Sequence, residues 1–390
     1  MATTATTTTE TDAAAEKTIL DSLETRASEL SIWELRQIEA KPKTAAGKAV
    51  DWLLRLLPLI VSLLIIAQYK FAPNFKEFKP LDKSKPTNLW VWFIGFFAAI
   101  LLARVFISLF SLLENVRFRG DKNNSRWNRA ILFSKRTSQK LRRNAPIYTA
   151  VFILLFAYDW ATLKTGRLPQ PYFPWPDAIL NAMISDRVIL WKSVWHSLIL
   201  LFIGYSSGGL AGLVTGIAAG WSEKARYWVW PVVKVLGPIP STTWLPIILI
   251  VASSLFGGSV FLIALGVWYP VTMTTMTGVL NIPKSNFEAA RTFGATKAAL
   301  IFKVAIPASS PFIFQGLTQG MSIACTALLV AEMMGVEAGL GWYINWQRGW
   351  AEFAKMYAAV IIICLTFFLV NALFSFIKKR VLRWKEGGVV

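Results

Sequence analysis

Residues 357–377 read Tyr-Ala-Ala-Val-Ile-Ile-Ile-Cys-Leu-Thr-Phe-Phe-Leu-Val-Asn-Ala-Leu-Phe-Ser-Phe-Ile, without one charged side chain, and Lys378, Lys379 and Arg380 follow at once. Wound as an α-helix at roughly 1.5 Å per residue, such a run crosses about 30 Å of hydrocarbon. Apolar and polar positions do not alternate within it, as the strands of about 10 residues in a membrane barrel would require. Comparable runs lie at about 52–67, 89–113, 146–163, 194–219, 227–254, 257–280 and 309–334. The expected fold is therefore an all-α polytopic membrane protein with about eight transmembrane helices. Composition agrees: 55% of the 390 residues are hydrophobic and 16% charged, where a soluble domain carries roughly 25% charged.

The formal net charge of +19 fits a polyanion partner or an excess of Lys and Arg in cytoplasmic loops, and in a chain of this class the second cause takes precedence. Lipid is expected as a partner and nucleic acid is not. Residues 114–145 carry Arg117, Arg119, Lys122, Arg126, Arg129, Lys135, Arg136, Lys140, Arg142 and Arg143 against Glu114 and Asp121, which assigns them to the cytoplasm. Alternation then puts 221–226, 281–308 and the basic C-terminal tail on the same side, with both termini cytoplasmic. Loop 68–88 falls outside although it holds Lys70, Lys76, Lys79, Lys83 and Lys85. Arg104, inside the second span, either snorkels to the headgroups or marks a site.

The two cysteines, Cys325 and Cys364, stand within apolar runs, and His196 is the single histidine. Neither a disulfide framework nor a metal site is expected from that inventory. Residues 1–48 are polar, open with Thr/Ala low complexity and lack the apolar core of a signal peptide. Between Thr18 and Ala40 they read as a weakly amphipathic helix or a solvated tail.

Residues 281–308 read Asn-Ile-Pro-Lys-Ser-Asn-Phe-Glu-Ala-Ala-Arg-Thr-Phe-Gly-Ala-Thr-Lys-Ala-Ala-Leu-Ile-Phe-Lys-Val-Ala-Ile-Pro-Ala. Ser285 and Glu288 form a capping-box pattern, which predicts a helix starting at Asn286. Gly294 stops it, and Thr296 caps a second short helix running to about Ala305 before Pro307 breaks the chain. A hairpin of two short helices with Phe287, Ala290 and Phe293 on one face is poorly buried alone and suits docking to another protein.

Glu288-Ala289-Ala290, Gly294, Val304, Ile306 and Pro307 resemble the EAA loop through which ABC importer permeases engage their ATPase subunits. Further matches are Leu168-Pro169, Gly216, Gly220, Pro231, Gly237-Pro238-Ile239-Pro240, Trp244-Leu245-Pro246, Gly257, Pro270, Ala331-Glu332-Met333 and Gly339-Leu340-Gly341. Together they resemble the nitrate/sulfonate/bicarbonate (taurine-type) branch over about 146–385. The implied organisation is a polar tail at 1–48, two extra helices and a basic loop at 49–145, and a six-helix permease core at 146–385 with its coupling loop at 281–308. The extension reads as an accessory anchor or docking element, or as two spans that complete the helix bundle. The resemblance assigns ATPase coupling to Glu288, Ala289, Ala290, Gly294 and Pro307, while Glu288 also reads as a cap alone. It implies ABC ATPase subunits, an extracytoplasmic solute-binding protein and a second permease chain in a bacterial inner membrane.

No Gly-x-x-x-x-Gly-Lys-Ser/Thr occurs, and Gly47-Lys48 is followed by Ala49. ATP and Mg would therefore be held by separate subunits, with no catalysis and no cofactor in this chain. The implied cargo is a small, anionic solute of the nitrate, bicarbonate or sulfonate type, or a vitamin-precursor-like one. Intramembrane polar residues mark the expected pathway, although hydroxyls also bond between helices. Gln315, Gln319 and Ser322 share one helical face, and Thr243 and Glu332 join them as candidates. Pro231, Pro238, Pro240 and Pro246 should interrupt 227–254 and turn it toward the bundle interior. A self-contained channel or ion-coupled carrier is the alternative.

Overall fold

The computed structural model describes residues 45–75, 88–117, 125–334, 336 and 338–383. The amphipathic reading of 18–40, Lys76, Lys79, Lys83 and Lys85, Arg119 and Lys122, and Lys385 lie outside them. Thirteen α-helices occur among the described residues, and no strand. They are α1 Ala45–Phe71, α2 Leu89–Arg117, α3 Ser125–Asp159, α4 Pro176–Ser185, α5 Arg187–Trp221, α6 Glu223–Leu236, α7 Leu245–Val251, α8 Leu255–Leu280, α9 Lys284–Thr292, α10 Lys297–Ala299, α11 Ile306–Met334, α12 Leu340–Gly349 and α13 Phe353–Val381. Seven helical stretches among the described residues are long and apolar enough to cross a membrane, matching seven of the eight expected runs. The eighth, 227–254, is broken.

Two compact units divide the chain: residues 1–70 with 94–156, and 71–93 with 157–390. The boundary expected at 145/146 falls inside α3, which passes through Pro146 and continues as a π turn, Trp160–Lys164. In the first unit Ile65, Ile94, Leu141 and Ala145 are buried, and Arg55 Nη1 donates to Ser108 Oγ at 3.3 Å. In the second, residues 71–75 and 88–93 are held by polar bonds. Lys164 Nζ donates to the Ala72 carbonyl at 2.7 Å and to Asn74 Oδ1 at 2.8 Å. The Trp90 N–H donates to Asp177 Oδ1 at 3.0 Å, placing a carboxylate at the N-terminus of α2, where the helix dipole favours it.

The second unit is framed by α5, α8 and α11. Gly204, Gly208, Gly212, Gly216 and Gly220 form a stripe at four-residue spacing on α5, and a Cβ on any of them would strike α8. At Gly204 it would sit 2.7 Å from Ile263, at Gly212 2.8 Å from Val271 and at Gly220 2.6 Å from Val279. Small residues at this spacing let two membrane helices approach backbone to backbone. Because the paired numbers rise together, α5 and α8 run parallel. α11 runs the opposite way along α8, with Gly278 against Phe312, Gly320 against Val267 and Gly266 against Ile323. Leu201, Ile263, Val267, Met321 and Leu328 fill the core between the three.

Parallel packing has a topological consequence. The chain leaves α5 at one end of the frame and enters α8 at the other, so 222–254 must return the length of α8, roughly 39 Å. It does so in pieces: α6, a break at 237–240, a 3-10 turn Ser241–Trp244, and α7. These pieces together span about that length. Ser222 Oγ accepts from Ala225 N at 3.5 Å and caps the start. Side-chain proximities confirm the direction, with Gly237 at Tyr269, Ser241 at Gly266 and Ile248 at Gly258. The expected run 227–254 thus returns along α8 in short pieces, interrupted at Pro238 and Pro240, while Pro231 lies inside α6 and Pro246 in the first turn of α7.

Two local expectations fail. α9 begins at Lys284, with Pro283 (φ −56°, ψ 134°) at its N-cap and no side-chain cap. The proline ring presets the entry and the Pro283 carbonyl accepts from Asn286 N at 3.1 Å, so Ser285 lies inside the helix and the capping box does not form. Pro307 does not break the chain either. Residues 297–333 form one 37-residue helical span, and a π turn, Leu300–Ala305, directly precedes α11. Widened i→i+5 bonding makes room there for a residue lacking an N–H.

Candidate functional site

The hairpin of α9 and α10 stands at the end of the frame where α5 finishes. Phe287 meets Trp221, the last residue of α5, edge to face at 5.7 Å, and Ile282 is buried at its base. Beyond that the hairpin is open: Glu288, Ala289, Gly294 and Pro307 are exposed and Ala290 half-buried. Phe293 leaves 91% of its surface uncovered. Gly294 adopts φ +76°, and a Cβ placed on it would meet nothing within 4 Å, so the turn requires its left-handed backbone while its surroundings leave space for a partner. Gly294 N donates to Arg291 O at 2.9 Å and Ala295 N to Ala290 O at 3.1 Å, closing α9. Thr296 Oγ1 accepts from Ala299 N at 3.3 Å and caps α10 as expected.

On α11, Gln315, Gln319, Ser322 and Thr326 recur at helical spacing and are all exposed. Neither glutamine amide forms a hydrogen bond among the described residues. Ser322 and Thr326 continue into a cavity of about 380 Å³ lined also by Ser241, Thr242, Trp268 and Tyr269. It lies at the break in the 222–254 crossing and about midway along α8. Irregular backbone at membrane depth is tolerated only where it is buried in protein or lines a water-filled cavity, and the 237–240 break borders this one. Trp268 Nε1 donates to Thr215 Oγ1 at 3.1 Å, and Thr215 shares a 2.8 Å hydrogen bond with Thr272. Thr243 is exposed on the same 3-10 turn but is not part of the lining, which its neighbours Ser241 and Thr242 supply.

Glu332 departs from this set. It is 1% exposed, on a different face of α11. Its Oε1 accepts from Ser197 Oγ at 2.6 Å and its Oε2 from Gly341 N at 2.8 Å, while Ser197 Oγ accepts from Leu340 N at 2.9 Å. Gly339 takes φ +128°, and a side chain there or at Gly341 would run into the carboxylate. The Gly-Leu-Gly turn is thus wrapped around a buried carboxylate that joins α5, α11 and α12. Buried and with both oxygens engaged, Glu332 packs these helices together and stands apart from the exposed Gln315, Gln319, Ser322 face. Nearby, Tyr343 OH donates to Asp186 Oδ2 at 2.6 Å and Lys355 Nζ stands 3.8 Å from the same oxygen. Burial, and then the bond to Asp186, hold the Tyr343 phenol above the ordinary tyrosine range.

Residues 208–385 match the family described as binding-protein-dependent transport system inner membrane component. Over 201 residues the chain is 30% identical to the nitrate import permease protein NrtB of Synechococcus elongatus, covering 50% of this chain and 72% of that protein. The chain belongs to this permease family. It is also 28% identical over 250 residues to the nitrate import permease protein NrtB of Leptolyngbya laminosa, covering 62% of this chain and 88% of that one. With the taurine transport system permease protein TauC of Escherichia coli it shares 25% over 233 residues, covering 58% and 85%.

The permease is a multi-pass inner-membrane subunit of an ABC importer of the nitrate/sulfonate/bicarbonate type, and such subunits are not themselves enzymes. Among its described residues no group of three or more His, Cys, Asp or Glu side chains gathers that could hold a metal. The family match begins at Gly208, within the glycine stripe of the permease, and runs through the broken crossing, the hairpin and the Glu332 node. Sequence reasoning missed Ser197, Trp268 and Tyr269. The first is found only through its distant partner Glu332; the two aromatics carry a readable signal, since they face the Gly237–Pro240 break from the middle of α8.

Proposed function

We propose that two copies of this permease form the membrane-spanning part of a binding-protein-dependent ABC importer, with ATP and Mg held by separate ATPase subunits. Glu288, Ala289, Ala290, Gly294 and Pro307 engage those subunits, one hairpin per ATPase. ATP binding to the partners biases the permease between inward- and outward-facing states, and the hairpin carries that bias because it is fixed to the frame at Phe287 and Trp221. The hairpin and both chain termini face the cytoplasm. An extracytoplasmic binding protein delivers solute to the opposite side.

Solute passes along the Gln315, Gln319, Ser322 face of α11 and through the cavity at the broken crossing. The exposed glutamines belong against water or a second copy rather than lipid, since an unpaired amide in hydrocarbon costs several kcal/mol. Relatives named for nitrate and taurine favour a small anion of the nitrate, bicarbonate or sulfonate type. The hydroxyls of Ser241, Thr242, Ser322 and Thr326 could donate to its oxygens, and a vitamin-precursor-like solute would use the same hydroxyls.

The observation that carries the reading is the projecting hairpin, with Phe293 91% exposed and open space around Gly294. The test is purification of the intact complex from native membranes, reconstitution into liposomes with its binding protein, and uptake measured with and without ATP. Uptake that requires ATP and a copurifying ATPase is expected. Uptake driven by an ion gradient with no ATPase present would replace this reading with the ion-coupled carrier.

A further inference from the structure

Two cavities meet at one indole. The first, about 610 Å³, lies at the α8 N-terminal end, between Ile247, Val251, Ser254, Gly257 and Phe261. The second is the cavity of about 380 Å³ at the helix break. Leu236, Trp244 and Leu265 line both. Along α8 the first is lined from Gly257 to Leu265 and the second from Leu265 to Tyr269, so the two are stacked along the crossing with Trp244 at their junction.

The chemistry changes at that junction. The first cavity is predominantly apolar, with Ser253 and Ser254 at its end, while the second, though still mostly apolar, gathers the hydroxyls of Ser241, Thr242, Ser322 and Thr326. Trp244 is the last residue of the 3-10 turn, half-buried and followed at one residue's remove by Pro246 at the start of α7. Its mounting is a single turn of poorer hydrogen-bond geometry between two helix ends, not the interior of a long helix. A large apolar ring on such a mounting can be displaced by a modest change in the direction of α6 or α7. While it is in place, water and a polar solute meet a hydrophobic constriction, which closes a pathway by dewetting.

We propose that Trp244, backed by Leu236 and Leu265, is the plate separating an outer vestibule from the mid-depth solute cavity, and so the outer gate of the pathway. The proposal rests on the pathway reading above. Opening requires the 241–244 turn to swing the indole aside while the glycine-packed α5/α8 contact stays fixed.

The test uses the intact transporter in right-side-out vesicles without ATP. On a background carrying Cys325→Ala and Cys364→Ala, Thr242→Cys reports the inner cavity to a membrane-impermeant methanethiosulfonate added outside. Slow labelling is expected with Trp244 present, at least tenfold faster labelling with Trp244→Ala, and near-original labelling with Trp244→Phe. Should Trp244→Ala not accumulate, Leu265→Ala opens the same plate and should also accelerate labelling. A parallel variant retaining Cys325, which is buried in the core, must stay protected in the Trp244→Ala protein; acceleration shared by Cys325 would overturn the gate. Equal labelling of Thr242→Cys with and without the indole would also overturn it, provided that labelling blocks uptake. If full labelling leaves uptake unchanged, the pathway reading fails and the gate with it.

Discussion

Along one side, α8 meets the glycines of α5; along another it meets the broken segment 222–254. The first contact brings backbones together at five successive helical levels, so that Ile263, Val271 and Val279 sit where α5 has no side chains. The second interposes Trp244, Ser241 and Thr242 and leaves two cavities. Close packing has few alternative arrangements, whereas a segment of short helices joined at Gly237–Pro240 can be re-angled at its joints. One side of α8 is therefore a close-packed frame and the other a cavity lining, and the exposed hairpin of α9 and α10 is attached to the frame through Trp221.

The sharpest way to break this contrast is to load the frame. Gly208→Leu places a side chain against the Ala264 backbone, which cannot yield as a flexible side-chain tip would. A destabilisation of about 3 kcal/mol or more is expected. Membrane immunoblots should show at least a fivefold drop in protein. Normal abundance would mean that α5 and α8 are not held at this distance.

Gly294→Asp addresses the hairpin without touching frame or lining. Its left-handed backbone costs an aspartate about 1 kcal/mol, so the protein should accumulate within twofold of normal. The added charge should prevent ATPase copurification and reduce uptake more than tenfold. Wild-type copurification and uptake together would remove the docking assignment.

Gln315→Leu with Gln319→Leu probes the lining. Several-fold slower uptake at unchanged abundance is expected, because both amides are exposed and form no hydrogen bond among the described residues. A fall in abundance would instead assign them to packing. The smallest effect belongs to Ser285→Ala. With Pro283 already at the N-cap, thermal unfolding should register less than about 0.5 kcal/mol, whereas loss of a functioning cap costs about 1 kcal/mol.

Much of the architecture was legible because length and hydropathy alone define a crossing: seven of eight runs reappear as continuous helices. The interruption of the eighth was legible in Pro238 and Pro240, whose rings exclude regular helix. The stop at Gly294 and the cap at Thr296 were legible because both act within a few residues. The rest depends on neighbours that a local pattern does not contain. Ser285 and Glu288 have capping-box spacing, but Pro283 sets the helix start first. Pro307 looks like a break until the π turn before it is seen. Glu332 resembles a pathway residue because an isolated intramembrane carboxylate is expensive, and the hydroxyl that satisfies it belongs to Ser197, 135 residues away. The glycine stripe on α5 stands in the sequence, but the face it meets is set by tertiary pairing.

Frame and lining can both hold only if 222–254 crosses the membrane as a broken segment and lines the pathway on its way. Glu223 and Ser253 are exposed at its two ends. On the cysteine-free background, Glu223→Cys and Ser253→Cys can each be tested with an impermeant thiol reagent in right-side-out and inside-out vesicles. Labelling of Glu223→Cys only from the cytoplasmic face, and of Ser253→Cys only from the opposite face, is expected. Labelling of both from one face would make the segment a re-entrant loop and would contradict the parallel packing of α5 and α8.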